Sequence, residues 1–165
     1  MTTASPLYRH RALLLGVAHL SPTGKGSLRL EAQGLFTKRA RPLGRRHLRP
    51  GLYQVALWPR TDLEGFVSSV TVASWSLLRP APIGEVPSTP LRFTLLGEWQ
   101  GEEEGLGRAL VVPLDSARVP SFSLSFLLAC PPPPIEGTVV AFGRVERGRL
   151  VAEGLVPLCL REPGG

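Results

Sequence analysis

The feature that most constrains the fold is the alternation of apolar and polar side chains along much of the chain. In Ser121–Leu128, apolar side chains at every second position alternate with serines. A period of two is typical of strands with one buried face. No segment shows the 3.6-residue period of a helix, and 18 glycines and 17 prolines disfavour long helices, because proline removes a donor and glycine costs entropy. The sequence therefore predicts an all-β protein.

Alternation, or a short apolar run between turn residues, predicts the remaining strands. Thr138–Pro157 divides at Arg147-Gly148 into a tight hairpin, because glycine supplies a positive φ. One helical turn is expected at Leu43–Leu48, before Pro50-Gly51 ends it. The other strands are expected at Ala12–Leu20, Leu28–Phe36, Leu52–Trp58, Phe66–Trp75, Arg92–Gln100 and Gly107–Leu114.

Residues 79–90 contain four prolines and predict an extended linker. The linker separates residues 1–78 from residues 91–165, and each piece has four or five predicted strands. Small closed barrels hide sheet edges in pieces of this size, so we expect two β-barrels in tandem, with one continuous sandwich as the alternative. The similar strands ALLLGVA and FTLLGEW suggest an internal duplication. Pro131–Pro134 is expected to be a polyproline II loop, or a ligand for an aromatic groove on another protein.

Glu136–Pro157, with Gly137, Val139, Gly143 and Val145 in the pattern G-x-V-x-x-x-G-x-V, resembles the last two strands of an oligonucleotide-binding (OB) fold. Replication protein A small subunits carry a segment of this form. FTLLGEW resembles the first OB strand, whose glycine permits the sharp coiling that closes the barrel. The resemblance implies that the two predicted barrels are OB-like.

A second resemblance covers most of the chain. The order YRHRALLLG, LYQVALWPRT, RFTLLGEW and SFSLSF is similar to a family of small cyanobacterial proteins without an established activity. This resemblance bears on origin and implies no function.

The sequence argues against a membrane or secreted protein. No apolar run approaches the roughly 18 residues of a membrane helix, and Ala12–Ala18 is followed by His19 and a turn without a convincing cleavage site. We therefore expect a cytoplasmic protein in which Cys130 and Cys159 are reduced thiols.

No recognisable catalytic, cofactor or metal motif appears. Lys25 lies in SPTGKGS, which lacks the first glycine and the hydroxyl residue of a P-loop, so a solvated turn is expected. The three histidines lack metal-ligand spacing. Glu102–Glu104 predicts a solvated hairpin tip, with a divalent-ion site as the alternative. We expect a protein that is not an enzyme and has no cofactor.

The net charge of +6 is unevenly distributed. Residues 1–60 contain eleven Lys or Arg and one acid, Glu31, whereas residues 61–165 contain eight Lys or Arg and twelve acids. The densest basic segment is Lys38–Arg49, which its prolines and glycine predict to be a loop between strands. A concentration of cations of this kind favours a polyanion as the partner of the N-terminal half.

Single-strand binding also requires exposed aromatic side chains on which bases stack. Tyr53 and Trp58 fall on opposite faces of one predicted strand, so one is expected in the core and the other to be the platform. The sequence predicts binding of single-stranded DNA or RNA. It does not indicate which of the two is bound. The candidate site comprises Lys38, Arg39, Arg41, Arg45, Arg46, Arg49, Tyr53, Trp58 and Arg60.

The alternative prediction is an accessory subunit of a larger complex, whose basic loop contacts an acidic protein surface. In that case the Pro131–Pro134 loop or an open sheet edge would be the docking element. Under the nucleic-acid prediction, the acidic C-terminal barrel would brace the first barrel or recruit a protein partner.

Overall fold

The computed structural model describes residues 10–44, 47–113, 118–132, 134 and 136–158. None of these residues is helical, and the prediction of an all-β protein is confirmed. The ten strands are β1 (Arg11–Pro22), β2 (Leu28–Ala32), β3 (Leu35–Pro42), β4 (Gly51–Thr61), β5 (Val67–Pro80), β6 (Arg92–Glu103), β7 (Leu106–Val111), β8 (Phe122–Leu128), β9 (Thr138–Glu146) and β10 (Arg149–Pro157).

The first five strands close into a barrel. Their pairings run β1-β2-β3-β5-β4 and return to β1, with β3 and β5 parallel and the other neighbours antiparallel. Closure gives each of the five strands a neighbour on both sides. A five-stranded closed barrel is compatible with the OB-like barrel that the sequence predicted.

The last five strands repeat this order. Their pairings run β6-β7-β8-β10-β9 and return to β6, with β8 and β10 parallel. Gly16 in β1 and Gly97 in β6 hold corresponding places, as do Trp58 in β4 and Phe142 in β9, judged by the registers of the paired strands. The two rings of strands therefore share one plan.

The two rings are joined through β1 and β6. The first half of β1 pairs antiparallel with the first half of β6, with Ala12 opposite Leu95. The second half of β1 pairs with β2, and the second half of β6 pairs with β7. The pairing makes one ten-stranded sheet. Residues 81–91 connect β5 to β6.

Two predicted boundaries were wrong. Leu28–Phe36 is not one strand, because Gln33 and Gly34 form the turn between β2 and β3, and Gly34 has a φ of 85°. β5 continues to Pro80, so Arg79 and Pro80 pair with β4 rather than opening the linker. In contrast, the hairpin at Arg147-Gly148 is confirmed, and both residues have positive φ.

The expected helical turn at Leu43–Leu48 is also wrong for the part that is described. Leu43, Gly44, His47 and Leu48 are not helical, whereas Arg45 and Arg46 lie outside the described residues. Glycine at 44 has a φ of 86°, which a right-handed helix does not accommodate.

The inward faces of the strands form the hydrophobic core. In the first ring the buried side chains include Leu14, Leu20, Leu30 and Leu57. In the second ring Phe93 and Phe126 are fully buried, with ring centroids 5.8 Å apart. Alternation is regular in β4, where Gly51, Tyr53, Val55, Leu57 and Pro59 are buried, as the sequence pattern predicted.

In the part of the chain that the structure describes, no helix is long and apolar enough to cross a membrane. Pro131 and Pro132 are exposed and Pro134 forms a bend, none of them within a strand. Pro133 lies outside the described residues.

Candidate nucleic-acid interface

The prediction that Lys38–Arg49 is a loop is wrong for its first part, because Lys38–Pro42 belong to β3. Lys38, Arg39 and Arg41 lie on β3 and are exposed. A β-bulge places Lys38 and Arg39 together opposite Arg29 of β2, since Leu28 pairs with Ala40 and Leu30 with Thr37. A bulge sets two residues against one and breaks the alternation, so both neighbouring side chains face outward.

These three cations line a groove of about 1030 Å³ on the outside of the first ring. The β1–β2 connection, β2, β3, β4 and β5 form its walls. Of the described residues that line it, none is an Asp or Glu. Six are cationic, namely Lys25, Arg29, Lys38, Arg39, Arg41 and Arg60. We call this surface the basic groove.

Two of the six cations have partners within the protein. Arg29 donates a 2.9 Å hydrogen bond to Glu31 and lies over the ring of Phe36. The guanidinium carbon of Arg60 lies 3.3 Å from the centre of the Phe122 ring, and burial lowers the pKa of Arg60. For Lys25, Lys38, Arg39 and Arg41 there is no ion pair with any acid that the structure describes. Their charges therefore face solvent in the basic groove.

The two candidate aromatic residues differ in exposure. Tyr53 is 4% exposed, and its hydroxyl donates a 2.7 Å hydrogen bond to the carbonyl of Arg49. Tyr53 therefore belongs to the core and cannot stack on a base. Trp58 is 42% exposed and lines the basic groove. The prediction that one of the pair faces the core is confirmed.

Not all the predicted site residues come together. Lys38, Arg39, Arg41, Trp58 and Arg60 line the basic groove. Arg49 is exposed just before β4 and does not line the groove. Arg45 and Arg46 lie outside the described residues.

Sequence reasoning missed the contribution of the β1–β2 connection and of β2. Lys25 was expected to be a solvated turn residue, and it is exposed, but its turn forms one wall of the basic groove. Arg29 was not singled out, although an arginine at an outward position of an alternating strand was a usable signal. The hydroxyl residues Ser68, Ser69 and Thr71 on β5 also line the groove.

The second ring carries negative charge at the turn between β6 and β7. Glu102–Glu104 at the β6–β7 turn line a smaller cavity of about 360 Å³, together with Gln100 and Arg108. The carboxylate of Glu102 accepts a 2.6 Å hydrogen bond from the N–H of Gly105. Within the described ranges, no group of three or more His, Cys, Asp or Glu residues is arranged to hold a metal ion.

Comparison with protein-family models, curated proteins and solved structures gave no match to this chain.

Proposed function

We propose that this protein is a non-enzymatic binder of single-stranded DNA or RNA and that the strand lies in the basic groove. The observation that carries the proposal is the composition of one surface. Six cations and an exposed tryptophan line a single groove, and no acid occurs among its described lining residues.

The charges of the groove fit the phosphates of a nucleic acid. Lys and Arg that neutralise phosphates release bound counterions, which supplies affinity independent of sequence. Lys25, Lys38, Arg39 and Arg41 keep their charges toward solvent, so binding would not require breaking an internal ion pair. Arg residues also contact phosphates with several donors at once.

Trp58 supplies the second element that single-strand binding requires. Stacking of a base on an aromatic side chain is worth about 1–3 kcal/mol. Trp58 is exposed beside the cations rather than at a distant site. The resemblance to the OB barrels of replication protein A small subunits supports the same function, because that fold binds oligonucleotides on a barrel face.

The first test is charge removal from β3. We expect the triple variant Lys38→Gln, Arg39→Gln and Arg41→Gln to bind a labelled single-stranded oligonucleotide more weakly. The dependence of log K on log salt should become shallower by about 2, since each neutralised phosphate contributes about 0.7 for single strands. Fluorescence anisotropy across a salt series measures both quantities.

The matched control is Arg79→Gln, Arg92→Gln and Arg147→Gln, which removes the same net charge from residues outside the basic groove. If the two triple variants lose affinity equally, net charge rather than the groove explains binding. Unchanged affinity in the β3 variant would contradict the proposal.

An acidic protein surface is the alternative partner for the same cations. Trp58→Ala distinguishes the two, since a polyglutamate peptide has no bases to stack. We expect this variant to weaken oligonucleotide binding about tenfold and to leave weak polyglutamate binding unchanged. The control is Phe142→Ala, which removes an aromatic side chain of similar exposure, 46% against 42%, at the corresponding place in the second ring.

A further inference from the structure

A second cavity lies between the two rings of strands. It has a volume of about 310 Å³ and is formed by the beginning of β1, by β4, by the end of β7 and by the beginning of β8. Its walls are mostly apolar and include Val111, Val119 and Phe122. We call it the junction cavity.

The junction cavity adjoins the basic groove. Trp58 and Arg60 of β4 line both. They are separated by one residue, so their side chains leave the same face of the strand. A strand whose phosphates lay in the basic groove would therefore pass directly beside the opening of the junction cavity.

The chemistry of the cavity suits a flat heteroaromatic ring. Trp58 and Phe122 offer aromatic surface, and Phe122 in turn supports the guanidinium of Arg60 at 3.3 Å. Arg11 and His10 at the start of β1 also line the cavity. With Arg60 they bring N–H donors to walls that are otherwise apolar, and a base edge could accept hydrogen bonds from them.

From these contacts we propose that the junction cavity receives one nucleobase of the strand held in the basic groove. The inference rests on the proposed function and adds to it a specific site for a base. The site forms where the two rings meet. Trp58 and Arg60 lie on β4 of the first ring, whereas Phe122 begins β8 of the second ring and Val119 lies just before it.

The test compares two labelled oligonucleotides of equal length and phosphate number, oligo(dT) and a chain of abasic units. Val119→Trp would fill the junction cavity with its larger side chain. We expect the variant to bind oligo(dT) about tenfold more weakly and the abasic chain with unchanged affinity. Val156→Trp is the control, because Val156 is exposed to a similar extent, 49% against 40%, and lies on β10 away from both surfaces.

A more conservative variant tests the same site in case Val119→Trp does not fold. Phe122→Leu keeps an apolar side chain and removes the ring, so weaker oligo(dT) binding with unchanged abasic binding supports the same inference. Phe142→Leu is its control. Thermal unfolding followed by circular dichroism shows that each variant is folded.

Two outcomes overturn the inference and are distinguishable. If the unmodified protein binds neither oligonucleotide and does not bind oligo(U) RNA, the proposed function fails and this site fails with it. If the protein binds oligo(dT), but Val119→Trp and Phe122→Leu bind it as their controls do, the groove binds nucleic acid without a base in the junction cavity.

Discussion

Gly34 shows how one residue determines both a turn and a contact between the rings. Its φ of 85° closes the β2–β3 turn, and its carbonyl accepts a 2.7 Å hydrogen bond from the N–H of Gly148. A Cβ at this position would lie 2.6 Å from the carbonyl oxygen of Val145. The position therefore requires glycine for its conformation and for space.

We expect Gly34→Ala to lower the free energy of unfolding by about 1–3 kcal/mol more than Gly24→Ala. Gly24 has the same φ of 85°, and a Cβ there would meet nothing within 4 Å. Both variants incur the cost of a positive φ, and Gly34→Ala also displaces the β9–β10 turn. Urea denaturation measures the difference, and equal losses would show that the contact between the rings adds nothing.

Residue-scale prediction succeeded where a local rule applies. The odd separation of Tyr53 and Trp58 placed them on opposite faces of β4, and the structure buries Tyr53 and exposes Trp58. Which of the two is buried was not predictable, because both are amphipathic aromatic residues with similar preferences. Whether Tyr53 or Trp58 is buried depends on which face of β4 turns toward the barrel interior.

At the scale of strands, His10 connects the two rings. The N–H of Val112, just after β7, donates a 3.1 Å hydrogen bond to Nδ1 of His10, just before β1. Burial lowers the pKa of His10, and the carboxylate of Glu98 opposes this only in part. Protonation of Nδ1 would also remove the acceptor of this bond.

We expect the protein to lose stability as the pH falls through the ordinary histidine value of 6.5. The folded state binds a proton at His10 less readily than the unfolded state, so acidification favours unfolding in this window. Neutral glutamine can accept the same hydrogen bond without titrating. His10→Gln should therefore show a smaller decrease in melting temperature between about pH 8 and about pH 5.

His47→Gln, at an exposed position outside the junction, is the control and should retain the decrease of the unmodified protein. If His10→Gln retains it as well, His10 does not contribute to the pH dependence.

Strand boundaries were less predictable than strand existence. The sequence patterns located nine of the ten strands. The predicted strand Leu28–Phe36 ran through Gln33-Gly34, and most of β3, from Lys38 to Pro42, was predicted to be a loop. The bulge at Lys38 and Arg39 also has no signature in the alternation, since it reflects the register between β2 and β3. Register depends on how two strands fit together, and a single strand does not contain that information.

At the scale of the whole molecule, hydrogen bonds and one strand pairing join the two rings. The N–H of Ser125 donates to Oγ1 of Thr61 at 2.9 Å, and the N–H of Leu150 donates to the carbonyl of Gly65 at 3.0 Å. The pairing of β1 with β6 adds a continuous ladder between the rings. Separation would expose these polar groups and the ladder edges to water.

We therefore expect a single cooperative unfolding transition. In scanning calorimetry the calorimetric and van't Hoff enthalpies should be equal. Thr61→Val should lower the free energy of unfolding by about 1–3 kcal/mol, because the N–H of Ser125 loses its acceptor, without splitting the transition. Two resolved transitions in the unmodified protein would contradict this expectation and would indicate independently stable barrels.

The sequence by itself determined the all-β class, the positions of most strands, the tight hairpin at Arg147-Gly148 and the excess of positive charge in the first 60 residues. These are local properties, set by side-chain alternation, turn residues and composition. Only the tertiary structure decided that Lys25 and Arg29 join the cations of β3 in one groove, that Tyr53 is withdrawn into the core, and that Trp58 and Arg60 also border a cavity between the rings. Barrel closure and the β1–β6 pairing bring together residues that are far apart in the chain, and such proximity follows from long-range strand registers that no short segment specifies.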